Sequence, residues 1–264
     1  LNLTSALVKL NYQGEVVNQG EELNGKLSLS GDSVKALLNW QNIALVAKDE
    51  AFNKFSLSTN MGFVNNKLTL NKLIVSLDEL EFKGSTAITL SEPLNISSNI
   101  DLGILDLNPY LPEPSSETET TPTDDQASQP IVWDNTELDL SVLRSLNANI
   151  SIKSSQLLIR DIKLGKNELA LVLNKGVADV HLKSFQGYEG NGSGVIKLNA
   201  NKKPYQISTK FDLANINAEP LLTDAAGFDK LIGKGQLAWD LSTQGISQRE
   251  FIKQLNGHLD ISFI

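Results

Sequence analysis

The sequence predicts a mainly β protein, an elongated and curled antiparallel sheet shaped like an open half-barrel or taco, with a few short helices. Apolar residues recur at every second position through most of the chain, and clusters of Gly, Asn, Ser and Pro separate these segments. A two-residue period places alternate side chains on opposite faces of a strand, and such clusters suit hairpin turns. An internal repeat without any sign of closure favours an elongated stack over a closed domain.

Residues 1–111 are predicted to form a first β meander unit with one short helix. Alternation at 6–12 and 23–29 predicts two strands, and it resumes between residues 55 and 102, where five or six strands fit. Between these regions Val34, Leu37 and Leu38 lie at helical spacing after Asp32, which can cap a helix. The segment 32–40 is therefore predicted to be helical.

Residues 112–131 are predicted to be an acidic, Pro/Ser/Thr-rich disordered linker, because they contain too few apolar residues to repay the entropy of ordering. Five acidic residues and no Lys or Arg lie there, so this segment accounts for most of the formal net charge of −8. Elsewhere the chain is only mildly acidic and its lysines are scattered. No basic patch exists for a polyanion, and nucleic acid is not expected as a partner.

Residues 132–264 are predicted to form a second β meander unit with two short helices. Alternation is clearest from 146 to 213, with turns expected at 153–155, 165–167, 174–176 and 201–204. One helical turn is expected at 141–145 and a helix at 219–231, with Gly233 as its stop. The segment 247–250 resembles a capping box that begins a second helix, and a strand at 237–241 lies between the two helices.

The two units resemble each other in sequence. Segment 94–102 matches 205–213 without a gap, and Lys83-Gly84 matches Ser193-Gly194 at nearly the same offset. A shorter phrase of the type Leu-Asn-x-x-Leu/Ile recurs at 23–29, 146–152 and 255–261. Duplication of a β unit explains these matches, and the alternative is convergence of a Leu-, Asn- and Ser-rich composition.

The apolar face of the second meander contains the candidate lipid-groove residues. They are Ile150, Ile152, Leu171, Leu173, Leu182, Ile196, Ile207 and Phe211. One face of a meander must be covered, and acyl chains can cover it in a long curled sheet, since each buried methylene contributes about 0.8 kcal/mol. The same residues would serve equally well in an ordinary protein core, and both interpretations stay open at this point.

Catalytic and metal-binding patterns are poor, and the sequence predicts no enzyme, no metal site and no cofactor. His181 and His258 are the only histidines, each lies in an alternating segment, and neither has a second ligand at metal-site spacing. The chain has no cysteine. The four glycines between 187 and 194 do not match a phosphate-binding loop and are better explained by a turn or bulge.

Several segments carry a resemblance to a known family. Segment 138–146 resembles a strand-to-turn lead, 188–194 resembles a Tyr-Gly-Gly-x-x-x-Gly segment with Glu189 in place of the first glycine, and 227–233 with 255–257 resembles a C-terminal block. In the first unit, 105–111 before the acidic linker is similar too. On these segments the chain resembles the AsmA family of Gram-negative envelope proteins, which are periplasmic, TamB-related, bridge-like lipid transfer proteins.

The resemblance implies a β-rich periplasmic body with an apolar groove that carries phospholipid toward the outer membrane. Its implied partners are phospholipid acyl chains, the inner membrane through an N-terminal helix, and an outer-membrane partner. The chain begins at Leu1 instead of Met and contains no such helix, so an upstream part is expected to be missing. One rival hypothesis is a scaffold or assembly factor for outer-membrane proteins that acts through exposed sheet edges, and another is an extracellular β-sandwich that binds sugar or protein.

Overall fold

A computed structural model describes residues 1–43, 45, 47–111, 133–227 and 229–263. The described residues form one curled, open sheet of sixteen strands with three short α-helices, which confirms the predicted fold class. The helices are α1 (Val34–Trp40), α2 (Ala218–Ala226) and α3 (Gln248–Lys253), with 3₁₀ turns at Asn18–Gly20, Asn108–Tyr110 and Ser141–Arg144. The strands are β1 (Asn2–Thr4), β2 (Lys9–Val17), β3 (Glu22–Gly31), β4 (Phe55–Val64), β5 (Lys67–Leu77), β6 (Leu80–Thr89), β7 (Leu94–Asp101), β8 (Ile104–Asp106), β9 (Leu146–Ser154), β10 (Gln156–Ile159), β11 (Ile162–Asn174), β12 (Val177–Gly187), β13 (Gly190–Asn199), β14 (Tyr205–Asn217), β15 (Lys234–Gly245) and β16 (Asn256–Phe263).

Strand order in the sheet follows the chain from β1 to β7 and continues through β9, β11, β12, β13, β14, β15 and β16. Neighbours on this path are antiparallel except at the junction between the halves, where β7 and β9 run parallel. The short strands β8 and β10 also pair in parallel, beside β11. The expectation of a purely antiparallel meander is therefore wrong at these two pairings, because a parallel pair needs a long connection that local alternation does not reveal.

The strands are longer and fewer than the alternation suggests. Four strands, β4 to β7, occupy residues 55–101, where five or six were expected. The register of β5 against β6 shifts between Leu70 and Leu73, and Lys72 has φ +52°. Such a bulge changes the phase of the alternation without ending the strand. The expected turn at 165–167 is likewise wrong, because these residues lie inside β11 next to a register shift.

The three helices are present, with corrections at their ends. Ser33, and not Asp32, caps α1, since its hydroxyl accepts a hydrogen bond of 3.1 Å from the N–H of Ala36. Helix α2 ends at Gly227, which has φ +63°, and so it stops before the expected Gly233. Ser247 caps α3 as predicted, while the Glu250 carboxylate accepts from the N–H of Ile246.

The internal repeat corresponds to a structural repeat. Strands β5, β6 and β7 occupy the same positions in the first unit as β12, β13 and β14 do in the second. Strands β5 and β12 each contain a bulge, between Leu70 and Leu73 and between Leu182 and Phe185. The proposed boundaries of the two units stay a prediction, and the predicted linker at 112–131 lies outside the described residues.

Candidate functional site

The eight predicted groove residues lie on one face of the sheet. Directly paired residues share a face, as do residues two apart on one strand. Three rows of paired residues cross the sheet on this face. The first row contains Ile150, Leu171, Val180 and Ile196, and the second contains Ile152, Leu169, Leu182, Gly194 and Phe211. The third row contains Ala148, Leu173, Ala178, Leu198 and Ile207. We call this surface the groove face.

The groove face has no second layer of strands over it in the described part of the chain. Strand contacts run almost entirely between neighbours in the sheet, and α2 and α3 contact its margins. Of the eight residues only Leu173 is buried, at 5% exposure, and the other seven are half-buried. The sheet curls enough for neighbouring side chains to shield each other, while their outer atoms stay accessible.

The groove face continues into the first unit, which the sequence-based choice of residues missed. The row through Ile150 passes to Ser98 across the parallel junction and then to Thr86, Leu70 and Met61. A neighbouring row continues from Ala148 through Ile96, Ile88, Leu68 and Phe63. The same alternation that selected the second-unit residues is present here, and the register shows that both halves form one surface.

Polar side chains on the groove face are hydrogen-bonded internally. The Ser98 hydroxyl donates to the Thr86 hydroxyl at 3.0 Å, and the Thr59 hydroxyl donates to the carbonyl of Asn71 at 3.0 Å. No buried side-chain nitrogen or oxygen lacks a partner in the described residues. These groups are therefore already satisfied and do not add a demand for a polar ligand.

An aromatic pair interrupts the aliphatic lining in the second unit. The rings of Phe211 and Trp239 stack with centroids 4.6 Å apart, and the Trp239 indole N–H donates to the Thr209 hydroxyl at 3.1 Å. A Cβ at Gly194 would lie 2.2 Å from the Phe211 ring, so the ring lies directly over this glycine. Trp239 was not among the predicted residues, because only strand pairing shows that it adjoins Phe211.

Helices and turns form one margin of the groove face, which we call the helix rim: α1, α2 and the β5–β6 and β12–β13 turns. A Tyr–Asp hydrogen bond fastens it in each unit. The Tyr110 hydroxyl donates to Asp78 at 3.1 Å, and the Tyr188 hydroxyl donates to Asp224 of α2 at 3.0 Å. Burial, reinforced by the hydrogen bond to Asp78, raises the pKa of Tyr110 to about 12, and burial also raises the pKa of Tyr188.

The opposite margin is formed in the second unit by α3 and by residues 133–144, which we call the strap. The strap crosses the strand ends: the N–H of Leu138 donates to the carbonyl of Ile246, and an Arg144 guanidinium N–H donates to the carbonyl of Ala200 at 2.7 Å. Tyr205 and Ser247 are 1% exposed at this margin. The groove face is thus flanked by packed structure on both sides of the second unit.

The other face of the sheet is polar. Glu168 lies 3.1 Å from the Lys183 ammonium and 3.6 Å from that of Lys153, and the hydrogen bond from Lys183 lowers the pKa of the Glu168 carboxyl. Further cross-strand pairs join Lys197 to Asp179 at 3.6 Å and Lys210 to Asp240 at 3.7 Å. Each of these four lysines pairs with a carboxylate, so the positive charge in this part of the polar face is balanced.

Comparison with protein families identifies the family to which this chain belongs. The model of the AsmA family matches residues 23–264, nearly the whole chain. The chain belongs to the AsmA family. Comparisons with curated proteins and with solved structures give no significant match. The AsmA family is associated with envelope lipid and outer-membrane assembly, and it is not an enzyme family.

The titratable groups of this AsmA-family chain give no sign of a catalytic or metal centre in its described part. His181 is exposed on the polar face, and the His258 imidazole lies 4.0 Å from the Asp260 carboxylate in exposed strand β16. The described residues contain no group of three or more His, Cys, Asp or Glu side chains that could hold a metal ion. Of the helices there, none has both the length and the hydropathy to cross a bilayer.

Proposed function

We propose that this chain is the periplasmic part of an inner-membrane-anchored lipid conduit, which supports phospholipid transport to the outer membrane and outer-membrane homeostasis. The observation that supports the proposal is the groove face: a mostly apolar surface on a single-layer sheet, with half-buried side chains and no second sheet over it in the described residues. A closed protein core would cover such side chains. Here acyl chains would complete the burial.

The dimensions of the sheet suit acyl chains. Fourteen strands follow one another along its main path, and at about 4.8 Å per strand the groove face extends for about 60 Å along the curl. The hydrocarbon core of a bilayer is about 30 Å thick, so the acyl chain of one leaflet spans roughly half of that. Several acyl chains could therefore lie along the groove face.

The chemistry of the groove face suits transfer better than tight selection. Its lining is mostly aliphatic, and its buried polar groups are internally paired. Each buried methylene contributes about 0.8 kcal/mol regardless of its position along an acyl chain. A lipid can therefore shift along such a surface by exchanging one set of apolar contacts for another.

Photocrosslinking from adjacent residues of β11 tests this proposal. Leu171 lies on the groove face, and Val172, which is 43% exposed, lies on the other face of the same strand. With benzoylphenylalanine at Leu171, irradiation in cells is expected to give a phospholipid adduct detectable by mass spectrometry. The same group at Val172 is the matched control. Equal labelling at both positions, or none at Leu171, would contradict the proposal.

The alternative function, an assembly factor for outer-membrane proteins, has support from strand β16. Leu259 and Ile261 are 56% and 55% exposed on this strand, where they pair with Trp239 and Leu237 and so extend the groove face. Exposed apolar side chains of this kind can bind an extended client segment. Crosslinking of an unfolded outer-membrane protein from Leu259, together with no lipid at Leu171, would favour this function over the conduit.

A further inference from the structure

A separate cavity lies at the helix rim of the second unit, beneath α2. Its volume is about 190 Å³. The floor is formed by residues of β14, β15 and β16, all on the groove face except Gln236, and the roof by Ala218, Leu221 and Leu222 of α2. The lining residues are Leu213, Ile216, Ala218, Leu221, Leu222, Gly235, Gln236, Leu237 and Ile261.

Local backbone features create this cavity. The register of β14 against β15 shifts between Leu213 and Ile216, where Asn215 has φ +58°. The shift places Ile216, 6% exposed, against Gly190 on the groove face. Helix α2 then turns back over the strands, held by a hydrogen bond of 2.9 Å from the N–H of Ala218 to the carbonyl of Gly233. Gly235 has no side chain to fill the space below.

The chemistry of the lining identifies the class of ligand. Among the described residues that line it, Gln236 is the one polar residue and none has an ionisable side chain. A lipid headgroup would lose its hydration there without gaining a partner, whereas an alkyl segment needs none. Apolar cavities of about 150 Å³ bind benzene or xenon, so a cavity of this size accommodates a short hydrocarbon segment.

We propose that this cavity binds the methyl-terminal segment of a lipid acyl chain, and so fixes the end of the chain at the helix rim. This inference rests on the proposed function, since the lipid reaches the cavity from the groove face. Leu213 and Leu237 belong to both surfaces and connect them. The Tyr188–Asp224 hydrogen bond fastens the roof of the cavity, because Asp224 lies on α2.

Fluorescence quenching of Trp239 by brominated lipid tests the inference. Trp239 lies two residues from Leu237 on the same face of β15, about 7 Å along the strand. Within residues 1–264, Trp40→Phe and Trp133→Phe leave Trp239 as the sole tryptophan, and any tryptophan outside this range is also replaced by Phe. We expect phosphatidylcholine brominated near the methyl end of its acyl chain to quench Trp239 more than phosphatidylcholine brominated near the carboxyl end.

Ala218→Leu fills the cavity and provides the decisive variant. It is expected to abolish the difference between the two brominated lipids and to weaken lipid binding about tenfold, which corresponds to losing about two buried methylenes. Ala238→Leu adds the same atoms on the polar face of β15 and is the matched control. Quenching that does not depend on bromine position, or a pattern that Ala218→Leu leaves unchanged, would overturn the chain-end site. Failure of both lipids to bind at all would instead overturn the proposed function, and the chain-end site with it.

A second variant keeps the test informative if Ala218→Leu fails to fold. Tyr188→Phe removes the hydrogen bond to Asp224 without altering the cavity lining. We expect the methyl-end-brominated lipid to exchange faster from this variant than from the parent chain. Tyr110→Phe removes the corresponding bond in the first unit and should leave the exchange rate unchanged. Identical exchange in both variants would count against the site beneath α2.

Discussion

At the scale of single residues, glycines in β13 shape the groove face. A Cβ at Gly194 would lie 2.2 Å from the Phe211 ring, and one at Gly192 would lie 2.3 Å from a methyl group of Leu213. Real Cβ contacts are never so short, so these large side chains can lie flat only over residues without a Cβ. The glycine-rich segment is thus explained by packing on the groove face.

Gly194→Ala is therefore expected to destabilise the chain by about 1–3 kcal/mol, the usual cost of forcing atoms into a packed site. Gly165→Ala is the matched control, because the nearest atoms to its new Cβ lie at an ordinary 3.4 Å. The free energy of unfolding, measured by urea denaturation, should fall for the first variant and change little for the second. Equal stability of the two variants would show that Phe211 does not depend on Gly194.

The raised pKa of Tyr110 predicts that the free energy of unfolding falls at alkaline pH. Its pKa is about 12 in the folded chain and about 10 in an unfolded one. Because the folded pKa is raised, the stabilisation is fully present below pH 10 and is lost as the pH rises toward 12. Thermal melts of the parent chain and of Tyr110→Phe should differ most below pH 10 and converge through this window. A stability difference between the two proteins that stays constant from pH 10 to pH 12 would show that ionisation of Tyr110 does not cause the loss.

Residue-scale prediction from sequence has a clear physical limit. Alternation placed all eight second-unit residues on one face, because the side-chain period of a strand is two. Alternation alone does not show that a strand continues after a bulge has shifted its period. The turn expected at 165–167 is therefore part of strand β11, and strand β5 continues past Lys72. Nor could alternation identify Trp239 as a neighbour of Phe211, since that contact depends on the register in which β14 pairs with β15 across the intervening helix α2.

At the scale of elements, α3 and the strap depend on the buried cap residue Ser247. Its hydroxyl accepts from the N–H of Glu250 at 3.3 Å, and strap residue Asp134 accepts from the N–H of Arg249 on the same helix. Ser247→Ala is expected to cost about 1 kcal/mol through loss of the cap. Hydrogen exchange should then increase at α3 and in the strap together. Ser242→Ala, a substitution at an exposed position of β15, is the control. Increased exchange at α3 alone would show that the strap does not depend on the Ser247 cap.

Helix boundaries and strand connections differ in how far the sequence determines them. The capping residue of α3 was predictable, because Ser247 and Glu250 interact through local geometry. The end of α2 was placed too late, since Gly227 already takes the left-handed conformation that ends a helix. The parallel pairing of β7 with β9 had no local signal, because it depends on where a long connection returns the chain.

At the scale of the whole molecule, the parallel junction decides whether the two units act together. Leu94 pairs with Leu146 and Asp101 with Lys153, so hydrogen bonding between the units extends along the whole of β7. The groove face passes this junction at Ser98 and Ile150. Pairing along the whole of β7 gives one long, mostly apolar surface instead of two separate ones.

A charge at the junction should therefore impair lipid binding by the whole chain. Ile150→Glu places a carboxylate on the groove face, where acyl chains would have to desolvate it, and we expect at least about a tenfold loss of lipid recovered with the purified protein. Asn149→Glu places the same group on the exposed polar face of β9, one residue away, and should leave recovery unchanged. Circular dichroism should show intact strands in both variants. Equal lipid recovery from the two would mean that lipid does not lie across the junction, and a conduit spanning both units would then be untenable.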